Sequence, residues 1–103
     1  MGMITTDKIG AIVDIVCEQY NINVIALKSR NRQANIREAR QLTMHFIHKY
    51  SGLSIVKSAR VVSRHHATLL HANKVIDCER ATNKRYNQNY TFINALIKNK
   101  ING

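Results

Sequence analysis

The chain has 103 residues, 45% of them apolar, which bounds it to one domain with a core of its own. Proline is absent, glycine occurs only at positions 2, 10, 52 and 103, and aromatic residues make up 6%, so the composition excludes a β-sandwich or barrel and predicts an all-helical fold. A net charge of +10 and a sequence pI of about 10.1 imply a polyanionic partner, nucleic acid first, and no apolar run reaches the length of a membrane span.

Residues 6–20 have the spacing of an amphipathic helix. Ile9, Ile12, Val13, Val16, Cys17 and Tyr20 share one face, and Thr5 or Thr6 can cap the start. Residues 22–27 are apolar but too short to assign alone. Residues 28–35 form a polar, basic loop with Lys28, Arg30 and Arg32. Asn35 followed three places later by Glu38 reads as a capping box. The helix it opens runs to about Tyr50, with Ala39, Thr43, Phe46, Ile47 and Tyr50 inward, and Gly52 stands where a helix end needs a left-handed residue.

A short helix over 54–62 and a tight turn at Ser63 and Arg64 lead into residues 64–76, Arg-His-His-Ala-Thr-Leu-Leu-His-Ala-Asn-Lys-Val-Ile. The back of this segment carries Leu69, Ala72, Val75 and Ile76 at helical spacing. Its front carries Arg64, His65, His66, Ala67 and Thr68, groups that suit base edges and phosphates. Helix, short turn, helix is the helix-turn-helix layout, whose second helix enters a major groove by its N-terminal end. A last helix starts near Asn83, with Tyr86, Tyr90, Ile93, Leu96 and Ile97 in one stripe and Phe92 outside it. That stripe suits either intramolecular packing or a homodimer seam.

The charge is unevenly placed. Residues 1–27 carry a net −2, residues 28–64 a net +8 with Glu38 as their one acid, and residues 65–103 a net +4. A solvated face mixes its signs better than the central segment does, and its Lys and Arg give affinity without sequence information.

Other chemistries find little support. Cys17 and Cys78 make no disulfide framework and suit a reducing, cytoplasmic, nucleoid-associated protein. His45 and His48 stand three apart on a helix, a spacing suited to a shared metal, but neither Cys-x-x-Cys nor His-Glu-x-x-His occurs, so no metal is expected. No nucleophile–base pair can be argued from spacing, so the chain is not expected to be an enzyme, and no cofactor is implied.

These segments, in this order, resemble the C-terminal duplex-binding domain of the bacterial replication initiator DnaA. The likeness covers roughly residues 8–80: Val-Cys-Glu-Gln-Tyr-Asn-Ile closing the first helix, a short helix ending at Leu27, the loop with Arg30 and Arg32, Ala-Arg-Gln-Leu-Thr-Met-His-Phe over 39–46, the stretch 54–62, and the signature helix from Arg64. The resemblance implies a multi-helix bundle with a Trp-repressor-like helix-turn-helix, in which residues 6–82 form the core and 83–103 an additional helix of a single domain, 1–103. It also implies residue roles. Arg32, with Arg30 in the same loop, enters a minor groove; Arg40 and Gln41 contact phosphate; Ile55 and Val56 clamp phosphate by their backbone; His66 and Thr68 touch bases and backbone; Lys74 holds the basic position further along.

The chain departs from that pattern at places that carry recognition. His65 replaces the signature Asp, an acceptor for cytosine N4, and Ala67 replaces the first signature Ser or Thr, keeping a methyl but losing the hydroxyl. Ser58 and Ala59 replace an Ile and a Gly. The initiator carries an ATPase module, whereas no Gly-x-x-x-x-Gly-Lys-[Ser/Thr] loop occurs here, so the expectation is a free-standing DNA-reading domain without a nucleotide cofactor. The reading is sequence-preferring binding of double-stranded DNA in replication initiation or transcriptional regulation. A non-specific nucleic-acid binder and an interaction module docking on replication proteins stay open.

Overall fold

The computed structural model describes residues 3–102. They form six α-helices: α1 (Thr5–Tyr20), α2 (Val24–Lys28), α3 (Ala34–Ser51), α4 (Ile55–Val61), α5 (His66–Thr82) and α6 (Lys84–Asn102).

The helix ends show where local sequence decides structure and where it does not. Ser54 Oγ accepts from the Lys57 amide at 3.2 Å and starts α4 as its residue type predicts. Asn23 Oδ1 accepts from Ala26 N at 2.8 Å, and that cap is what allows a helix as short as α2. Asn83 Oδ1 accepts from Tyr86 N at 3.0 Å at the start of α6. Gly52 closes α3 at φ 79°.

Two expected caps are not made. The N-cap of α1 is Ile4, without a side-chain bond, so neither Thr5 nor Thr6 caps it. Helix α3 begins before Asn35, with Gln33 at its N-cap, and the Glu38 carboxylate accepts instead from the Tyr20 hydroxyl on α1.

Helix α3 is the central element, packed against α1, α2, α4 and α5. Phe46, Leu42, Met44 and Ile47 on α3 are fully or almost fully buried with Ile12, Val16, Leu27, Leu69 and Ile76 in one cluster. Each such side chain contributes about 1.5–3 kcal/mol by leaving water.

Helix α6 belongs to the same cluster through Tyr86, Tyr90, Ile93, Ile97 and Ile101, and it packs on α1 and α5. The Phe46 and Tyr90 rings lie 5.0 Å apart. Tyr90 OH donates to His45 Nε2 at 2.6 Å, and His45 Nδ1–H donates to Asn73 Oδ1 at 3.0 Å, which ties α3, α5 and α6 together. The Asn89 amide donates to Tyr20 Oη at 3.0 Å. The stripe is therefore covered by the chain's own helices, the intramolecular packing that its spacing suits, and α6 completes the core. Phe92, outside the stripe, stays 54% exposed. No helix of the described residues is long and apolar enough to cross a membrane.

Candidate nucleic-acid interface

The turn between α4 and α5 is built without glycine. Ser63 takes φ 61°, Ser63 N donates to Arg60 O at 2.9 Å and Arg64 N to Ala59 O at 3.0 Å, the bonding of a Schellman ending. The chain then reverses sharply enough for His65 to start α5. His65 is the N-cap of that helix, and its Nδ1 accepts from Ala67 N at 3.2 Å. The helix thus runs from His66 to Thr82, beyond the segment 64–76, with Arg64 in the expected turn. Leu69, Ala72 and Ile76 anchor its back in the core, while Val75 is half-buried.

His65, His66 and Ala67 are exposed at the front, and Thr68 is half-buried. The His65 and His66 rings are 4.1 Å apart. Two concavities adjoin this helix end. One, of about 630 Å³, is lined by Arg30, Arg32, Arg37, Arg40, Gln41, Met44, Ser63, Arg64, Thr68 and His71. The other, of about 360 Å³, is lined by Val56, Arg60, Ser63, Arg64, His65 and His66. Val56 is 44% exposed in the first turn of α4, whereas the Ile55 side chain beside it packs against the core.

Arg40 is tied to the loop that precedes α3. It lies well inside α3, is only 6% exposed, and turns its guanidinium onto the preceding loop. Nε donates to Leu27 O at 2.8 Å, and Nη2 to Ser29 O at 2.9 Å and Asn31 O at 3.1 Å. Burial, and then the neighbouring Arg64 charge, lower its pKa from the ordinary value; an arginine nonetheless stays protonated. The cause of this geometry is steric and electrostatic: a buried guanidinium needs acceptors, and the loop after α2 leaves its carbonyls unpaired and in reach.

Arg64 does a similar task from the turn. Nη2 donates to Ser29 O, and Nη1 donates to Val62 O at 3.3 Å and Ser63 O at 3.1 Å. Both arginines line the larger concavity and hold the basic loop against the start of α5. Arg30 and Arg32 on that loop are exposed. Asn31 Oδ1 accepts from Gln33 N at 2.8 Å, and Ser29 Oγ from Asn31 N at 3.1 Å, which gives the loop a defined path.

The structure brings Arg30, Arg32, Gln41, Thr68 and Arg64 around one concavity, and it leaves Lys74 exposed on α5 outside both. It adds Arg37, Arg60 and His71. The signal for two of these was present in the spacing: Arg37 precedes Gln41 by four and His71 follows Thr68 by three, which places each pair on one helical face. His45 and His48 serve different partners, since His48 Nδ1 lies 2.9 Å from Leu53 O.

Comparison with known proteins agrees with this fold. The family described as bacterial dnaA protein helix-turn-helix matches residues 9–76. The chromosomal replication initiator protein DnaA of Bacteroides thetaiotaomicron is 27% identical over 90 residues, covering 86% of this chain and 19% of that protein. Its counterpart in Flavobacterium psychrophilum is 31% identical over 91 residues, with 87% of this chain and 19% of that protein covered. A crystal structure of a DNA replication initiation factor superposes with a TM-score of 0.82 at 26% identity, over 94% of this chain and 30% of that one. The chain spans about a fifth of the length of the curated relatives it matches. It belongs to the bacterial DnaA helix-turn-helix family.

Proposed function

We propose that this domain binds double-stranded DNA with sequence preference, with the N-terminal end of α5 in the major groove and the loop of Arg30 and Arg32 reaching an adjoining minor groove. One observation carries the reading: the exposed first turn of α5 lies beside a concavity lined by Arg37 of α3 and by Arg30 and Arg32, which stand on a loop that Arg40 and Arg64 hold in place. Side chains at a helix start read base edges, while the flanking cations neutralise phosphates. In this reading His65, His66, Ala67 and Thr68 face bases. Arg37, Gln41, Arg60 and Lys74, with the backbone of Ile55 and Val56, meet the sugar–phosphate strands. Arg30 and Arg32 favour a narrow, A·T-rich minor groove, where the negative potential is deepest. The relatives' names support a place in replication initiation; transcriptional regulation uses the same contacts.

The test is selection of bound duplexes from a random pool at moderate salt, with the wild type and with Arg32→Ala combined with His66→Ala. A short motif recovered by the wild type and lost in the double variant is the expected result. Binding with steep salt dependence and no enriched motif would reduce the domain to a non-specific nucleic-acid binder. No binding at all would turn attention to protein partners.

A further inference from the structure

The side chain of His65 offers a different group to DNA than its residue type alone specifies. A free histidine can present a donor or an acceptor at either ring nitrogen. Here the fold removes that choice. His65 is the N-cap of α5, at φ −78° and ψ 152°, and its Nδ1 accepts the Ala67 N–H at 3.2 Å. A nitrogen that accepts carries no proton, so the single proton of the neutral ring sits on Nε2. Nε2 lies across the ring from Nδ1 and is directed away from the helix turn that Nδ1 caps. The residue is exposed and stands beside Val56, Arg60 and His66. At this corner the helix therefore projects an N–H donor.

We propose that His65 is a specificity-determining residue whose capping bond holds it as an Nε2–H donor, so that the domain selects guanine and rejects cytosine on the strand this residue faces. The inference rests on the duplex-binding reading above. Its chemistry is that of the major-groove edges. Guanine presents two adjacent acceptors, N7 and O6; adenine presents N7 next to an amino donor, thymine O4 next to a methyl; cytosine presents only its N4 amino group, which meets an N–H donor with repulsion.

Two nearly isosteric substitutions separate reading from capping. Asp and Asn are both strong N-caps, so His65→Asp and His65→Asn keep the Ala67 N–H satisfied and the helix start intact; equal thermal midpoints would verify this. The atom left over differs. Asn turns a donor amide outward, Asp an acceptor oxygen. Motifs selected from a random duplex pool by the three proteins are then compared position by position, as ratios within each motif, so that the added charge of Asp cancels. The expected result is one position at which wild type and His65→Asn enrich purines, guanine foremost in the wild type, and His65→Asp enriches cytosine, by on the order of tenfold, with the other positions unchanged. The same motif from all three proteins would overturn the proposal and leave the duplex-binding reading standing, as would an equal loss of the motif in both variants. No motif from the wild type would bring down the sequence preference itself and this proposal with it.

Discussion

Arg40 and Arg64 donate to the same acceptor, the carbonyl of Ser29. One reaches it from the interior of α3 and the other from the turn before α5, so a single backbone oxygen joins the basic loop to α3 and to the turn that leads into α5. Holding two cations this close has an electrostatic cost, part of which the loop's carbonyl dipoles offset.

That arrangement makes Arg40 a residue of stability. Lysine keeps the charge but not the planar fork that spans the carbonyls of Leu27, Ser29 and Asn31. Arg40→Lys is expected to lower unfolding free energy by about 1.5–3 kcal/mol, the range for hydrogen bonds to a charged group. Urea unfolding checks it. A variant as stable as the wild type would dismiss the clamp.

Arg32, in contrast, is exposed on the clamped loop. Arg32→Ala is expected to change stability by no more than about 0.5 kcal/mol. In the minor groove its charge lies between two phosphate strands and releases condensed counterions, so its loss should reduce the slope of log affinity against log salt by about 1. Titrating a fixed duplex across salt concentrations, next to Arg40→Lys, tells the two classes of arginine apart.

His45 predicts a pH dependence of folding. Burial is the largest influence on it and lowers its pKa, reinforced by Lys49 and Arg80 and opposed by the Asn73 bond and Asp77. The folded state thus favours the neutral ring, which accepts from Tyr90 OH. The unfolded chain takes up the proton first as pH falls, so this contribution is complete above the unfolded value of about 6.5 and is lost as pH drops below it towards the lower folded value. Thermal midpoints between pH 7.5 and 5 should fall in the wild type and fall less in His45→Gln. Equal slopes would remove His45 from the account.

Two neighbours on α6 test whether that helix belongs to the core. Ile93 is fully buried and Phe92 is 54% exposed. Ile93→Ala is expected to cost about 2–5 kcal/mol and Phe92→Ala less than about 1 kcal/mol. A mild effect at Ile93 would mean that α6 is an appendage.

Helical periodicity, the Gly52 ending and the Ser54 cap were legible because each depends on residues a few positions apart. The capping box at Asn35 and Glu38 was local too, yet Gln33 takes the N-cap and Glu38 accepts from the Tyr20 hydroxyl, 18 residues away in the chain. The stripe on α6 was readable as a stripe, but whether a second copy or its own chain covers it depends on where α1, α3 and α5 lie.

The sequence by itself determined that this chain is helical, that its middle is cationic and that a polar helix end follows a tight turn. Only the tertiary structure decided which cations are available. A surface arginine and a buried one have the same letter. Burial forces the second to satisfy its donors on carbonyls brought near by packing, as Arg40 does at Ser29, where the half-buried Arg64 joins it, while Arg30 and Arg32 stay in solvent. The same holds at His65, where the capping bond selects which ring nitrogen carries the proton.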